Sequence, residues 1–151
     1  AEVNTKPVEA GEFISAIEKN LDLNIIPFIE EHPETTFTCF YPPYSILYWN
    51  DVKNRNELEV VMEKYRYISN RLLEYDNVEI YFFQNQKDII CNLNNYADYT
   101  HYHPDVCAYM VDCFANGERK VTKENLEQEI EALYELTSSY DYEAIWDDWY
   151  N

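Results

Sequence analysis

The sequence contains little glycine and no long apolar run. Gly11 and Gly117 are the only glycines among 151 residues. A loop that cradles phosphate groups needs several closely spaced glycines, so the chain has no nucleotide-binding loop of that kind. No apolar stretch approaches the length of about 18 residues that is typical of a membrane-spanning helix. We therefore expect this segment to be soluble and to make no membrane contact.

Basic residues are also scarce. The chain carries 11 lysines and arginines against 29 aspartates and glutamates, which amounts to a formal net charge of −18. Nucleic acids and anionic membrane surfaces are negatively charged and would be repelled. We therefore expect no nucleic-acid partner and interpret most acidic residues as solvated faces. The alternative is a surface that attracts cations.

The four cysteines are too few and too irregularly spaced for a disulfide framework. No two of them have the spacing of a zinc-binding pair. Asp98, His101 and His103 could share a metal ion, but no further cluster of ligands accompanies them. The sequence therefore predicts neither a metal nor a cofactor.

Two apolar runs rich in β-branched and aromatic residues, 35–41 and 78–83, predict two strands. An aromatic loop or helical turn is predicted at residues 44–49, followed by a long amphipathic helix from about Asn54 to Tyr75. Strand, helix and strand with short connections form a parallel, right-handed unit. We expect an α/β fold, a small parallel sheet with flanking helices.

Residues 1–151 are expected to form a single domain. Residues 1–10 are interpreted as a flexible lead-in. Residues 140–151 are interpreted as a tail that packs back onto the domain through Trp146 and Trp149.

Ligands of an open parallel sheet bind beyond the carboxyl ends of its strands. Residues 94–104 follow the second strand and contain two of the three histidines. Asp98 precedes His101 by three residues, so its carboxylate can reach one ring nitrogen while the other faces a cleft. Such a carboxylate fixes the tautomer and stabilises the imidazolium, which makes two-thirds of a hydrolytic triad. The alternative is a turn in which Asp98 and His101 only flank the next helix, which His103 caps.

Aromatic residues follow the first strand at the same predicted edge. Together with Tyr41 at the strand end, Tyr44, Tyr48 and Trp49 could form a wall on which a sugar ring stacks, or they could belong to the core. Ser45 could be a substitute nucleophile, but its segment lacks the glycine that a sharp nucleophile turn needs; the alternative is a turn-forming hydroxyl. We take Tyr44, Ser45, Tyr48 and Trp49 as the candidates for substrate binding.

Residues 40–45, Phe-Tyr-Pro-Pro-Tyr-Ser at a strand end, precede residues 98–101, Asp-Tyr-Thr-His. In their order and spacing the two segments resemble the C-terminal half of an SGNH (GDSL-type) hydrolase. The chain is most similar to the bacterial cell-envelope branch related to alginate and teichoic-acid acyl-modifying proteins, over about residues 24–116. The resemblance implies a flavodoxin-like fold in which Asp98 and His101 are the acid–base pair of the triad.

The family's nucleophilic serine lies in a Gly-Asp-Ser motif, which this sequence lacks, together with the oxyanion-hole glycine and the Gly-x-Asn motif. The resemblance therefore implies a truncated half-domain, inactive alone, of an esterase or O-acyltransferase that acts on acyl groups of cell-envelope glycans. It implies an acylated glycan or small ester as substrate, and an extracellular or cell-envelope location. The alternative is a non-catalytic carbohydrate- or protein-binding module. An open sheet edge is expected to support a homo-oligomer.

Overall fold

Helices flank a small sheet in the computed structural model, which describes residues 10–145. The strands are β1 (Phe37–Tyr41), β2 (Val78–Phe82) and β3 (Lys120–Val121). The α-helices, in chain order, are α1 (Ala10–Asn20), α2 (Ile26–Glu31), α3 (Ile46–Asn54), α4 (Leu58–Leu72), α5 (Lys87–Ile90), α6 (Pro104–Asn116) and α7 (Leu126–Ser139). The predicted α/β character is confirmed. No helix within the described residues is long and apolar enough to cross a membrane.

Some predictions for the two ends of the chain concern residues outside the described range. These are residues 1–9 of the predicted lead-in and the tail tryptophans, Trp146 and Trp149. The chain is already helical at Ala10, where α1 begins, and a π-helical turn, Leu21–Ile25, joins α1 to α2.

The first two strands are parallel neighbours, as predicted. Phe37 lies opposite Val78, and Tyr41 lies opposite Phe82. β2 is the central strand of the order β1-β2-β3. The carboxyl ends of β1 and β2 therefore meet at one edge of the sheet, which is the edge where ligands bind in parallel sheets.

The sheet as a whole is mixed, so the prediction of a purely parallel sheet was wrong. β3 runs antiparallel to β2, with Ile80 opposite Val121. Gly117 and Arg119 have φ values of 69° and 65°, and this left-handed turn reverses the chain after α6. A two-residue strand is too short to show a hydrophobic period, and for that reason the sequence pattern did not reveal it.

Two helices connect β1 to β2, where an aromatic loop or helical turn and one long helix were expected. α3 begins directly after Ser45, and α4 begins at Leu58 rather than near Asn54. Between them Asn56 has a φ of 56°, which ends the first helix. Residues 46–49 are thus helical, and Ile46 and Trp49 are buried in the core.

Most of the core lies on one face of the sheet, under α2, α3, α4 and α7. Its buried side chains include Ile29, Trp49, Met62, Ile80, Phe82, Ile130 and Leu133. Side chains alternate between the faces of a strand, so Tyr81 points the other way and packs with Phe83, Met110 and Cys113 beneath α6. The sheet is thus covered by helices on both faces.

One edge of the sheet stays open among the described residues. Among residues 10–145 β1 pairs only with β2. The Phe37 amide and the Tyr41 carbonyl bond toward β2, so the alternate residues Thr38 and Phe40 direct their backbone groups away from it. The exposed Phe40 ring lies 5.5 Å from the ring of Phe114 on α6, and Val111 on the same helix is also exposed. Pro42 follows the strand and has no amide hydrogen to extend the edge. The open edge is therefore short and apolar.

The two glycines provide a matched test of the turn after α6. Replacing Gly117 by alanine is expected to lower the free energy of unfolding by about 1–2 kcal/mol, because a residue with a side chain is strained at a left-handed φ. Gly11→Ala is the control, since Gly11 lies in α1 and nothing lies within 4 Å of either added Cβ. The control should keep or raise stability by up to about 1 kcal/mol. Equal urea midpoints for the two variants would contradict this role of Gly117.

Candidate active site

A short hairpin, residues 95–103, carries the Asp98–His101 step; we call it the dyad hairpin. Tyr96 and Tyr102 pair across it in antiparallel fashion. The Ala97 amide donates to the His101 carbonyl at 2.9 Å, and the His103 amide donates to the Asn95 carbonyl at 2.6 Å. These bonds close the base of the hairpin and leave residues 98–100 at its tip.

Asp98 and His101 are hydrogen-bonded to each other. The distance from Asp98 Oδ2 to His101 Nδ1 is 2.6 Å. The other carboxylate oxygen, Oδ1, accepts from the backbone amides of Thr100 at 2.9 Å and His101 at 2.8 Å. The side chains are 55% and 80% exposed, and no described residue bonds His101 Nε2. The predicted contact between one ring nitrogen and the carboxylate is present, and the ring is exposed to solvent; that its other nitrogen faces a cleft stays a prediction.

The same contacts hold the pKa of the Asp98 carboxyl near 2, below its ordinary value of 3.8. The largest cause is the backbone amide of Thr100, followed by the amide of His101 and then by its ring. Asp98 is therefore ionised at neutral pH. An ionised carboxylate accepts from Nδ1–H, which leaves Nε2 as the nitrogen that can take up a proton.

The order of these causes predicts how Asp98 titrates. In His101→Ala the pKa of Asp98 should stay below its ordinary value, because the two amides still donate to Oδ1. The depressed pKa stabilises the fold above the unfolded pKa of about 3.9, and this stabilisation is lost as the pH falls toward 2. A carbon-detected NMR titration measures the midpoint. A return to the ordinary value in His101→Ala would mean that the ring, not the turn, sets the pKa.

Two hydrogen bonds tie the dyad hairpin to residues 42–45, the loop that follows β1. The Ser45 amide donates to the Tyr99 carbonyl at 3.0 Å. The Tyr96 hydroxyl donates to the Pro43 carbonyl at 2.7 Å. The dyad hairpin therefore lies at the carboxyl end of β1, the edge at which the sequence placed it.

Two of the four candidate substrate-binding residues have no exposed surface. Ser45 and Trp49 are each 0% exposed. Among the residues that the structure describes, neither the Ser45 hydroxyl nor the Trp49 indole nitrogen has a hydrogen-bond partner. A role for them in substrate contact requires an exposure that this structure lacks. The Ser45 backbone amide instead donates to the Tyr99 carbonyl, and Ser45 directly precedes α3. Trp49 fills the core.

Tyr44 and Tyr48, the other two candidates, are half-buried. Their rings lie 4.8 Å apart, and Tyr48 packs edge-on against Trp49 at 5.3 Å. Burial raises the pKa of the Tyr48 hydroxyl, with a smaller contribution from Tyr44. These two rings form the outer layer of an aromatic cluster that continues into the core, and their predicted substrate contact stays a prediction.

A cavity of about 370 Å³ lies beside the tip of the dyad hairpin. Its walls come from α3, the 3-10 turn Leu93–Asn95, the hairpin tip and the last described residue, and its lining is Leu47, Asn50, Asp51, Asn54, Leu93, Tyr99 and Ile145. The α3 residues among them share one helix face, at intervals of three and four. Sequence reasoning missed them because it did not predict a helix over residues 46–54, and so did not bring these positions onto one face.

His103 has a structural role at the start of α6. Its Nδ1 accepts from the Asp105 amide at 3.2 Å, which confirms that it caps this helix. Pro104 occupies the first turn, and Gly117 ends the helix, as expected. Within residues 10–145 no group of three or more histidine, cysteine, aspartate or glutamate side chains is arranged to hold a metal ion.

Neither a family model, nor a curated protein, nor a solved structure matches this chain.

Proposed function

We propose that this chain is the acid–base half of an SGNH-like esterase or O-acyltransferase. The observation that carries the proposal is the 2.6 Å contact between Asp98 Oδ2 and His101 Nδ1. Two features support it further: the pKa of Asp98 near 2, which keeps the carboxylate charged, and the exposure of the histidine ring. A turn that served only as a helix cap would need no bond to the ring, since His103 already caps α6.

The proposed reaction is acyl transfer through a covalent intermediate. A serine oxygen attacks the ester carbonyl while His101 Nε2 takes the hydroxyl proton, and Asp98 stabilises the imidazolium that forms. The C–O bond to the leaving alcohol then breaks as His101 returns the proton to that alcohol. Water or an acceptor hydroxyl attacks the acyl-serine in the same way, which releases an acid or a new ester.

The proposal places the nucleophile outside the described residues, because the Ser45 hydroxyl is buried and finds no hydrogen-bond partner, and so no base, within residues 10–145. The open edge of β1 supports this placement. A strand that adds parallel to β1 would end at the carboxyl edge of the sheet, and the loop after it would lie near the dyad hairpin. The resemblance to the SGNH family favours acyl groups of cell-envelope glycans as the substrate, and an extracellular or cell-envelope location.

The test uses the native gene product that contains residues 1–151. We expect it to release acetate from an acetylated glycan and from a small acetyl ester. A serine-directed phosphonate should label one serine outside residues 10–145, and the labelling should be lost in His101→Ala, because the probe reacts only with an activated serine. Absence of both turnover and labelling in the wild-type protein would overturn the proposal.

The cavity beside Tyr99 favours a second candidate, a carbohydrate-binding module. It combines an aromatic ring and apolar side chains with two amides, Asn50 and Asn54, and one carboxylate, Asp51. Apolar walls with a few polar groups are typical of small-molecule sites. Binding of a neutral oligosaccharide that is lost in Tyr99→Ala and occurs without hydrolysis would support it. Binding that persists in Tyr99→Ala would count against this cavity.

The open edge of β1 also predicts how the isolated chain behaves. We expect residues 1–151 alone to self-associate through Thr38 and Phe40, because their outward backbone groups and the exposed Phe40 ring lack a partner strand. Added salt should strengthen the association by screening the net charge of −18 on each copy. Phe40→Lys should give a monomer in sedimentation velocity. A wild-type monomer at high concentration and high salt would refute the prediction.

A further inference from the structure

We propose that Tyr96 is a positioning residue that clamps the dyad hairpin to the loop after β1. The catalytic consequence of this clamp rests on the proposed function, whereas its structural part is independent of it. The clamp consists of two hydrogen bonds between segments more than 50 positions apart: the Tyr96 hydroxyl to the Pro43 carbonyl at 2.7 Å, and the Ser45 amide to the Tyr99 carbonyl at 3.0 Å.

The two bonds lie on either side of Asp98 along the chain, and the second lies two residues before His101. Tyr96 precedes Asp98 by two residues, and Tyr99 lies between Asp98 and His101. One bond therefore holds the base of the dyad hairpin and the other holds its tip. If the hairpin rotated about one of these hydrogen bonds, the other bond would break. The two bonds together therefore restrain both the position and the angle of the hairpin.

The loop on the other side of the clamp is rigid. Pro42 and Pro43 each have a fixed φ, and the Tyr44 amide donates to the Pro42 carbonyl at 2.9 Å. Pro43 and Ser45 are buried, and the loop is continuous with β1 before it and with α3 after it. Tyr96 therefore connects the dyad hairpin to a part of the molecule that the sheet and the core hold in place.

The Tyr96 hydroxyl is suited to remain a donor. Its ring is half-buried, and burial raises the pKa of the hydroxyl well above its ordinary value. The hydroxyl therefore stays protonated at every pH at which an esterase works. A carbonyl oxygen such as that of Pro43 accepts only from a protonated hydroxyl, so the bond does not switch with pH.

The clamp and the Asp98–His101 pair are separable. The bonds within the pair and to Oδ1 are all formed among residues 98–101, so they do not need the clamp. What the clamp fixes is the place of His101 relative to the carboxyl edge of the sheet. A misplacement of about 1 Å can lower a rate by roughly 100-fold without changing the chemistry of the groups involved.

The test is Tyr96→Phe, which removes one hydroxyl and keeps the ring. In the chain of residues 1–151, hydrogen exchange at the Ser45 amide should become about fivefold faster, because the loss of one hydrogen bond lets the hairpin open more often. The pKa of Asp98 should stay near 2. In the native gene product kcat should fall roughly 10- to 100-fold at an unchanged KM.

The matched control is Tyr102→Phe. It removes a hydroxyl from the same hairpin, but Tyr102 holds the hairpin through its backbone pairing with Tyr96, so exchange at Ser45 and kcat should remain as in the wild type. Unchanged exchange at Ser45 in Tyr96→Phe would overturn the clamp. Faster exchange in a protein whose wild type has no ester turnover would uphold the clamp and overturn the proposed function instead.

Discussion

Replacing His101 by alanine is expected to lower the ester turnover of the native gene product by about 10²–10⁴-fold, the usual contribution of a general base. The variant loses the group that takes the serine proton, whereas the fold should persist because the ring is 80% exposed. The Asp98 bonds to the amides of Thr100 and His101 also remain, so the turn itself is kept. Turnover is measured with a small acetyl ester, and folding by circular dichroism and urea unfolding.

Asp98→Asn separates the role of the carboxylate from that of the turn. The amide oxygen of asparagine can still accept from the two backbone amides, but the side chain no longer carries the charge that stabilises the imidazolium. A loss of up to about 10⁴-fold is expected by analogy with hydrolytic triads. Because the two residues act as a unit, the double variant should lose little more than the worse single variant.

His32→Ala is the matched control for the histidine substitution. His32 follows α2 and is exposed, and within residues 10–145 its ring pairs with Glu34 alone, at 3.6 Å. The control should keep wild-type turnover and labelling. Equal turnover in His101→Ala and His32→Ala would remove the catalytic role of His101 and leave the carbohydrate-binding candidate.

Trp49→Ala is expected to lower the free energy of unfolding by about 3–5 kcal/mol, the range for truncating a large buried aromatic residue. Trp49 is 0% exposed and contacts the rings of Tyr48 at 5.3 Å and Tyr65 at 6.5 Å. Alanine would remove both ring contacts and leave a cavity between α3 and α4. Chemical denaturation followed by tyrosine fluorescence or circular dichroism measures the loss.

Trp49→Phe is the control that keeps a ring. It also removes the indole nitrogen, a buried donor that no residue in the described part of the chain accepts from, and this offsets part of the lost packing. Its loss of stability should therefore be clearly smaller than that of alanine. A change below about 0.5 kcal/mol in Trp49→Ala would show that the residue lies at the surface, where the sugar-stacking hypothesis had placed it.

Most of the correct predictions came from residue patterns within a single segment of the sequence. The β-branched and aromatic runs identified β1 and β2, and the intervening helical pattern identified their parallel pairing. The cap at His103 and the helix end at Gly117 were also correct. Asp98 and His101 belong to this group, because a carboxylate three residues from a histidine in a turn makes its bonds within that turn. Hydrogen bonds between residues a few positions apart depend on the local backbone conformation, and the local residue types indicate that conformation.

The remaining features depend on contacts between distant segments. The aromatic residues at 44–49 were predicted either to form a wall for a sugar ring or to belong to the core; packing against Tyr65 on α4 buries Trp49 in the core. β3 exists only because the chain reverses at Gly117 beside the edge of β2.

The sequence alone thus determined which pair of residues could take and stabilise a proton. Only the tertiary structure decided where that pair lies, through the bonds from Tyr96 and Ser45, since hydrogen bonds between segments more than 50 positions apart leave no local pattern.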